Sequence, residues 1–299
     1  MTSEERREQR YQRRKAARLK KRQETIGKYD DFERVASLNS LYEAAREASK
    51  GVDWKASVQR YNSLLLFNIS KTRAELLAGK DIRRGFICFD ICERGKLRHI
   101  KSVHFSERVV QKSFCTNIIY PTRSLIYDNG ASQQGKGTQF ATNRLTTHLR
   151  RHFRKYGREG GILLIDFSDY FGNVAHEPLF EIYRQIFTDP RVIALGMSFI
   201  SAFGDKGLGL GSETSQINAV MLPNRADHYA KEVLRIRGYG RYMDDTYLLH
   251  HSIAYLEECL EKLRTIYSEY GIVINEKKTK IVDLKHGFTF LKTHFYITE

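Results

Sequence analysis

The sequence predicts a mixed α+β fold, and three observations carry that expectation. Helical periodicity recurs through the first half and again at 253–270. Strand-like runs are short and joined by glycine-bearing or charged turns, which predicts antiparallel pairing. With 299 residues, 41% of them hydrophobic and 12% aromatic, there is enough apolar surface for a real core.

Residues 1–31 form a basic tail. Arg6, Arg7, Arg10, Arg13, Arg14, Lys15, Arg18, Lys20, Lys21 and Arg22 permit a helix but offer no apolar stripe. The plain expectation is a frayed, solvated segment; the alternative is phosphate contact through Arg13, Arg14, Lys15, Lys20 and Lys21. From Phe32 the spacing of Val35, Leu38 and Leu41 predicts a helix up to Lys50-Gly51, and a second is expected over 54–77, stopped by Gly79. Phe86-Ile87-Cys88-Phe89-Asp90-Ile91, a turn at Glu93-Arg94-Gly95-Lys96 and a return to Val103 read as a hairpin. Helices are expected over 107–120 and 138–153, the latter behind the loop Gln134-Gly135-Lys136-Gly137.

The second half opens with Gly161-Ile162-Leu163-Leu164-Ile165-Asp166, an apolar strand ending in a carboxylate, which is a way to present a ligand at a sheet edge. A helical segment follows over 178–206. The glycine-rich loop Lys206 to Gln216 enters a helix through Ile217 and Val220. Gly238 to His250 reads as a hairpin carrying Asp244 and Asp245 at its turn, followed by a helix over 253–270, a strand over 271–275, a basic turn at Lys277-Lys278-Thr279-Lys280 and a strand-like end over 288–296.

Composition narrows the function. A net charge of +15 and a pI near 9.6 point to a polyanionic partner, and 17 Tyr with 17 Phe favour nucleic acid over anionic lipid. Four Cys (88, 92, 115 and 259), no signal peptide and no long apolar run predict a soluble cytoplasmic chain away from the membrane. Cys88 and Cys92 with His99 and His104 match no usual zinc spacing. Gly130 to Lys136 fits the first seven positions of a P-loop, but Gly137 stands where Ser or Thr would hold magnesium.

Two adjacent carboxylates repel each other, so a hairpin selected for stability alone would avoid Asp244-Asp245. An ordinary solvated turn remains the bland reading of the dipeptide itself. The order of motifs is more specific. Tyr242-Met243-Asp244-Asp245, the preceding Asp166-Phe167-Ser168-Asp169-Tyr170-Phe171, the following Gly271 to Thr279 and Phe290-Leu291 together resemble the motifs of reverse transcriptases over roughly residues 33–298. The resemblance implies a right-hand polymerase fold, with fingers over 32–160 (including part of the palm) and a palm over 161–299 built on an antiparallel sheet with helices. It also implies a primer-grip strand near 288–296.

By the same resemblance Asp166, Asp244 and Asp245 hold two Mg²⁺ ions, with Mn²⁺ as a substitute, and Lys278 protonates the leaving pyrophosphate. Phe171 stands where the family places an aromatic gate against the 2′ hydroxyl, beside Asp169, whose alternative role is a helix cap. Arg98 and Arg108 resemble residues that hold the triphosphate or the template. Gln133 occupies the place of a family Arg, leaving Lys136 as its substitute.

Leu210-Gly211-Ser212-Glu213-Thr214-Ser215-Gln216 looks like the aliphatic-Gly-x-x-x-Ser-Gln pattern of diversity-generating retroelement reverse transcriptases, with Leu210, Gly211 and Gln216 facing the substrate. Those enzymes copy a template-repeat RNA with errors at adenines and work with a small basic accessory protein. The expected partners are therefore an RNA template, a DNA or RNA primer, dNTPs and such a protein. The chain stops just after the primer grip, with Lys292 where the family prefers Gly, so the thumb is expected to be absent, truncated or supplied by a partner. The alternatives are a phage-defence or other bacterial reverse transcriptase, and a polymerase-fold nucleic-acid-binding protein with weak activity.

Overall fold

The computed structural model describes residues 2–93 and 95–296. Arg94 of the expected turn and residues 297–299 of the expected palm lie outside the described residues, as does the Lys15 side chain. The chain divides into two compact units. Residues 1–123, 180–202 and 211–214 make the first, and 124–179, 203–210 and 215–299 the second.

In the first unit the tail is a helix, Ser3–Tyr29, rather than a frayed segment. It holds no Pro and no Gly before Gly27 in its last turn, and Thr2 and Glu5 close a capping box at its start, satisfying backbone donors that would otherwise fray it. Its far end is rooted where the Asp30 carboxylate accepts from the Thr188 amide at 2.5 Å and the Thr188 hydroxyl at 2.7 Å. The helix expected after Phe32 is two, Glu33–Ala36 and Leu38–Ser49, because Ser37 turns extended and caps the second. Likewise 54–77 breaks at Leu64 into Ala56–Ser63 and Leu65–Leu77, which lets Tyr61 and Ile69 both reach the core.

Strands β1 (Phe86–Glu93) and β2 (Lys96–Val103) pair antiparallel from Phe86 opposite Val103 to Glu93 opposite Lys96. The Phe105–Phe114 helix continues through a π turn, Cys115–Ile119, into Tyr120–Thr122. Helix Pro190–Ser201 supplies Phe199, whose ring meets Phe114 edge-on at 5.8 Å in the core of this unit.

The second unit is built on a four-stranded antiparallel sheet. Its strands are β3 (Gly161–Ile165), β4 (Gly238–Tyr242), β5 (Asp245–His250) and β6 (Lys280–Asp283), in spatial order β4-β5-β3-β6. The Thr138–Tyr156 helix belongs here. It lays Ala141, Leu145 and Leu149 against Tyr247 and Leu249 of β5, while the Ile253–Glu269 helix packs on β3 and β5.

Gly238 and Gly240 leave room for those β5 side chains: a Cβ on Gly240 would sit 2.6 Å from the Tyr247 hydroxyl. The strand expected over 271–275 is not one. Gly271 turns the chain at φ 67°, and only Ile274 bridges, to Phe167. The strand is instead Lys280–Asp283, whose Val282 pairs with Ile162; charged ends on an edge strand disguised it as a turn.

The stretch 288–296 is a hairpin of β7 (Phe288–Phe290) and β8 (Thr293–Phe295) rather than one strand. Its turn residues Leu291 and Lys292 have φ of 48° and 64°, the left-handed geometry of a two-residue hairpin loop. Among the described residues no helix is long and apolar enough to cross a membrane.

Candidate active site

The sheet gathers three of the expected residues at one end. In the β3–β5 ladder Ile165 lies opposite Thr246, so the next residue along β3, Asp166, reaches the level of Asp245. Asp245 itself closes the β4–β5 hairpin opposite Tyr242, leaving Met243 and Asp244 as a two-residue turn. Met243 takes φ 54°, a conformation that costs a non-glycine residue about 1–2 kcal/mol.

The hairpin is held from behind by a buried ion pair. Arg241 and Asp227 have no exposed side-chain surface. The guanidinium donates to both Asp227 oxygens at 2.8 and 2.7 Å, to the Val220 carbonyl at 2.8 Å and to the strained Met243 carbonyl at 3.0 Å. Tyr239 donates to Asp227 as well. Burial alone would lower the Arg241 pKa, but the Asp227 carboxylate outweighs it, so the guanidinium stays charged.

Asp166 is bracketed by the segment that follows Gly271. The Asn275 amide side chain donates to Asp166 Oδ1 at 3.1 Å, the Asn275 backbone N–H to the Asp166 carbonyl at 2.8 Å, and the Asp166 N–H to Thr279 Oγ1 at 3.3 Å. Lys278 Nζ lies 3.1 Å from Asp166 Oδ2, while its own side chain stays mostly exposed. The structure thus places Lys278, of the basic run 277–280, against the carboxylate.

Charge on the three acids is in surplus. Burial first, then the like charges of Asp244 and Asp166, push the Asp245 carboxyl up to about 7, with Lys278 pulling the other way. Among the described residues no three His, Cys, Asp or Glu side chains are drawn into a ready metal cage, Cys88 and Cys92 included. The fit to a hard divalent cation rests on the donor set: oxygen ligands whose mutual repulsion a cation relieves.

The other expected residues are distributed as follows. Asp169 is exposed, takes φ 39° at the start of Tyr170–Asn173, and its side chain makes no capping hydrogen bond. Phe171 is half-buried, and its carbonyl accepts from the Leu208 amide at 2.6 Å, tying the glycine-rich loop to this turn. Lys136 bends back on its own loop, donating to the carbonyls of Tyr127 at 2.7 Å and Asn129 at 3.2 Å and lying over the Tyr127 and Phe140 rings. Gln133 donates to the same Asn129 carbonyl.

Leu210 is half-buried and Gln216 exposed on helix Glu213–Met221, both in the second unit. Gly211, Arg98 and Arg108 belong to the first. Gly211 takes φ 103° against Ile100, Arg98 is a half-buried residue of β2, and Arg108 donates to Ser102 Oγ at 3.2 Å. Arg13, Arg14, Lys20 and Lys21 are exposed on the first helix.

Sequence reasoning missed Asn275, Thr279, Asp227 and Arg241. The signal for the last pair was available: a charged residue between Gly240 and Tyr242 in a strand that must be buried demands a partner.

Compared with known proteins, residues 90–295 match the family model "Reverse transcriptase (RNA-dependent DNA polymerase)". No curated protein sequence matches the chain. Among solved structures, the chain is similar to apo telomerase from Candida tropicalis truncated from its C-terminal domain, at 14% identity and TM-score 0.52, covering 71% of this chain and 53% of that one. It is also similar to telomerase from Candida albicans in complex with a TWJ fragment of telomeric RNA, at 11% identity and TM-score 0.50, covering 66% of this chain and 42% of that one. The chain therefore spans about half the length of the solved relatives it matches. At such identities the likeness shows the fold, a right-hand polymerase fold of helices and antiparallel sheets.

Proposed function

Because this chain belongs to the reverse transcriptase (RNA-dependent DNA polymerase) family, we propose that it extends a primer 3′ end by copying an RNA template, with Asp166, Asp244 and Asp245 as its reaction centre. The observation that carries the reading is the β3–β5 register, which brings Asp166 level with the Asp244-Asp245 turn at one sheet end. The reaction joins the primer 3′ oxygen to the α-phosphorus of a dNTP and breaks the bond to pyrophosphate. Divalent cations, Mg²⁺ with Mn²⁺ as a substitute, would supply charge stabilisation to the attacking and leaving oxygens when held by the three carboxylates.

The chain's own residues do the rest. Asn275 and Thr279 hold Asp166 by side chain and backbone, so its oxygens are oriented before substrate arrives. Arg241 fixes the Met243 carbonyl and with it the turn that carries Asp244. Lys278, whose exposed ammonium lies beside Asp166, is the proposed donor of a proton to the departing pyrophosphate. Phe171, at the turn after Asp166, is the proposed gate that favours deoxynucleotides, and Arg98, Arg108 and Lys136 the proposed contacts to triphosphate or template.

Within the family the Leu210 to Gln216 motif supports assignment to diversity-generating retroelements. An aliphatic Leu210 makes no amide contact to the nascent pair, so looser base selection follows. The basic first helix supports RNA as template, and a small basic accessory protein as a further partner is part of the same proposal.

The experiment is primer extension on an RNA template with Mg²⁺ and dNTPs, comparing the chain with Asp244→Asn. Extension by the wild type and loss of at least about a thousandfold in the variant are expected, since metal-held charge stabilisation is the main catalytic term. Equal rates would sink the assignment. Sequenced products tell the subclass, and errors spread evenly over all template bases in the presence of an accessory partner would count against it.

A further inference from the structure

Residues 211–214 of the motif are anchored by the first unit's Phe105–Phe114 helix and its continuation to Thr122, through residues to which the proposed mechanism gives no role. Glu213, the first residue of its helix, receives Lys112 Nζ at 2.8 Å on one oxygen and 2.7 Å on the other, and the Tyr120 hydroxyl at 2.6 Å. Beside it the buried Ser212 hydroxyl donates to Gln111 Oε1 at 2.9 Å and shares a hydrogen bond with Thr214 at 2.8 Å. Gln111 in turn donates to the buried Glu107. Gly211, at the head of this cluster, has φ 103°, and a Cβ there would stand 3.1 Å from Ile100. The motif's first half is thereby clamped to one surface.

The clamp depends on an irregularity of the helix. In an unbroken α-helix Lys112 and Tyr120 would project about 80° apart. The π turn Cys115–Ile119 between them absorbs about one extra residue, which brings the two side chains within about 20° of one another. Both can then reach a single carboxylate. The pair Lys112–Glu213 is about three-quarters withdrawn from solvent, at 26% and 21% exposure, so water screens it only partly. Charge-assisted bonds of this kind fix geometry as well as energy.

We infer that Glu213, held by Lys112 and Tyr120 across the π turn, is the positioning residue that sets how tightly the Leu210–Gln216 motif discriminates between incoming nucleotides. It does not touch the nucleotide. It fixes the backbone between Leu210 and Gln216, so release of the clamp changes selection before it changes the rate of the chemical step. The inference rests on the template-copying reading proposed above.

The test uses the full chain and the variants Lys112→Met, Lys112→Arg, Tyr120→Phe and Glu213→Gln. For each, single-nucleotide extension is measured with correct and incorrect dNTPs, separating KM from kcat. Binding of the next dNTP to a dideoxy-ended primer–template complex is measured without turnover. Expected for Lys112→Met and Tyr120→Phe is a KM for the correct dNTP raised about fivefold and a wrong-to-right ratio shifted by a similar factor, with kcat at saturation within about twofold.

Lys112→Arg should restore the ratio, and Lys112→Met combined with Glu213→Gln should be no worse than either alone. A thermal midpoint that falls while the ratio and dNTP affinity stay at wild-type values would overturn the inference and leave the clamp a stability device. Failure of the wild type to extend or to bind dNTP would instead overturn the template-copying reading, and this inference with it.

Discussion

Replacing Arg241 by Met tests how the hairpin that carries Asp244 and Asp245 is held. Arg241 makes four hydrogen bonds to acceptors on three residues with no help from solvent: both oxygens of Asp227, the Val220 carbonyl and the Met243 carbonyl. Removing one partner of a buried ion pair costs about 3–5 kcal/mol, because the other charge stays buried. Two orphaned carbonyls add about 1 kcal/mol each. The expected loss, about 5–7 kcal/mol, is comparable with the whole stability of many domains.

The assay is urea unfolding followed by two probes. Hydrogen exchange of β4 and β5 amides reports the second unit, and exchange of the Phe105–Phe114 helix amides reports the first. The midpoint detected in β4 and β5 should collapse in Arg241→Met, with a smaller effect on that of the Phe105–Phe114 helix. Changing Asp227 to Leu in the same chain removes the stranded charge and should recover most of the loss. A single variant that loses less than about 1 kcal/mol, or a double variant as unstable as the sum of the singles, would refute the reasoning.

Other outcomes follow from the same geometry. Burial and the neighbouring carboxylates push the Asp245 carboxyl up to about 7 from its usual 3.8, so the folded chain binds the extra proton and stability in EDTA should fall as pH rises from about 4 to about 7. The fall is bounded by about 4 kcal/mol and reduced by solvent screening of a partly exposed turn, and urea midpoints at about pH 5 and 7.5 should converge in Asp245→Asn; an unchanged gap would contradict the shift. Lys292→Gly relieves a left-handed residue in the β7–β8 turn and should raise stability by about 1 kcal/mol; a loss would mean that the Lys292 side chain contributes more than its backbone costs. Deleting residues 1–24 should weaken RNA binding and flatten the plot of log affinity against log salt by about 0.7 per lost phosphate contact, whereas an unchanged slope returns the helix to a solvated role.

What could be read in the sequence and what could not divide along physical lines. β3 and the β4–β5 hairpin were legible because Gly161 to Asp166 and Gly238 to His250 carry their own strand propensity and turn limits. The order of motifs also singled out Asp166, Asp244 and Asp245, the proposed reaction centre, which the register draws to one end of the sheet. The breaks at Ser37 and Leu64 were hidden, since the helical periodicity runs through both and only packing decides where the chain bends. β6 was hidden by its lysine, and the Ser3–Tyr29 helix by the absence of an apolar face. The π turn at Cys115–Ile119 leaves no mark in composition. Lys112 and Tyr120 accordingly look unrelated until the helix is built.

The division of the chain has a consequence for its synthesis. The first unit is not a continuous stretch: Phe114 is made early, but Phe199, which covers it, lies beyond β3, and Glu213 comes later still. At about 5–20 residues per second, the early segment waits several seconds on the ribosome with Phe114 uncovered. No single cut yields either unit intact. A fragment ending at Arg123 should therefore be a chaperone client rather than an independently folding domain.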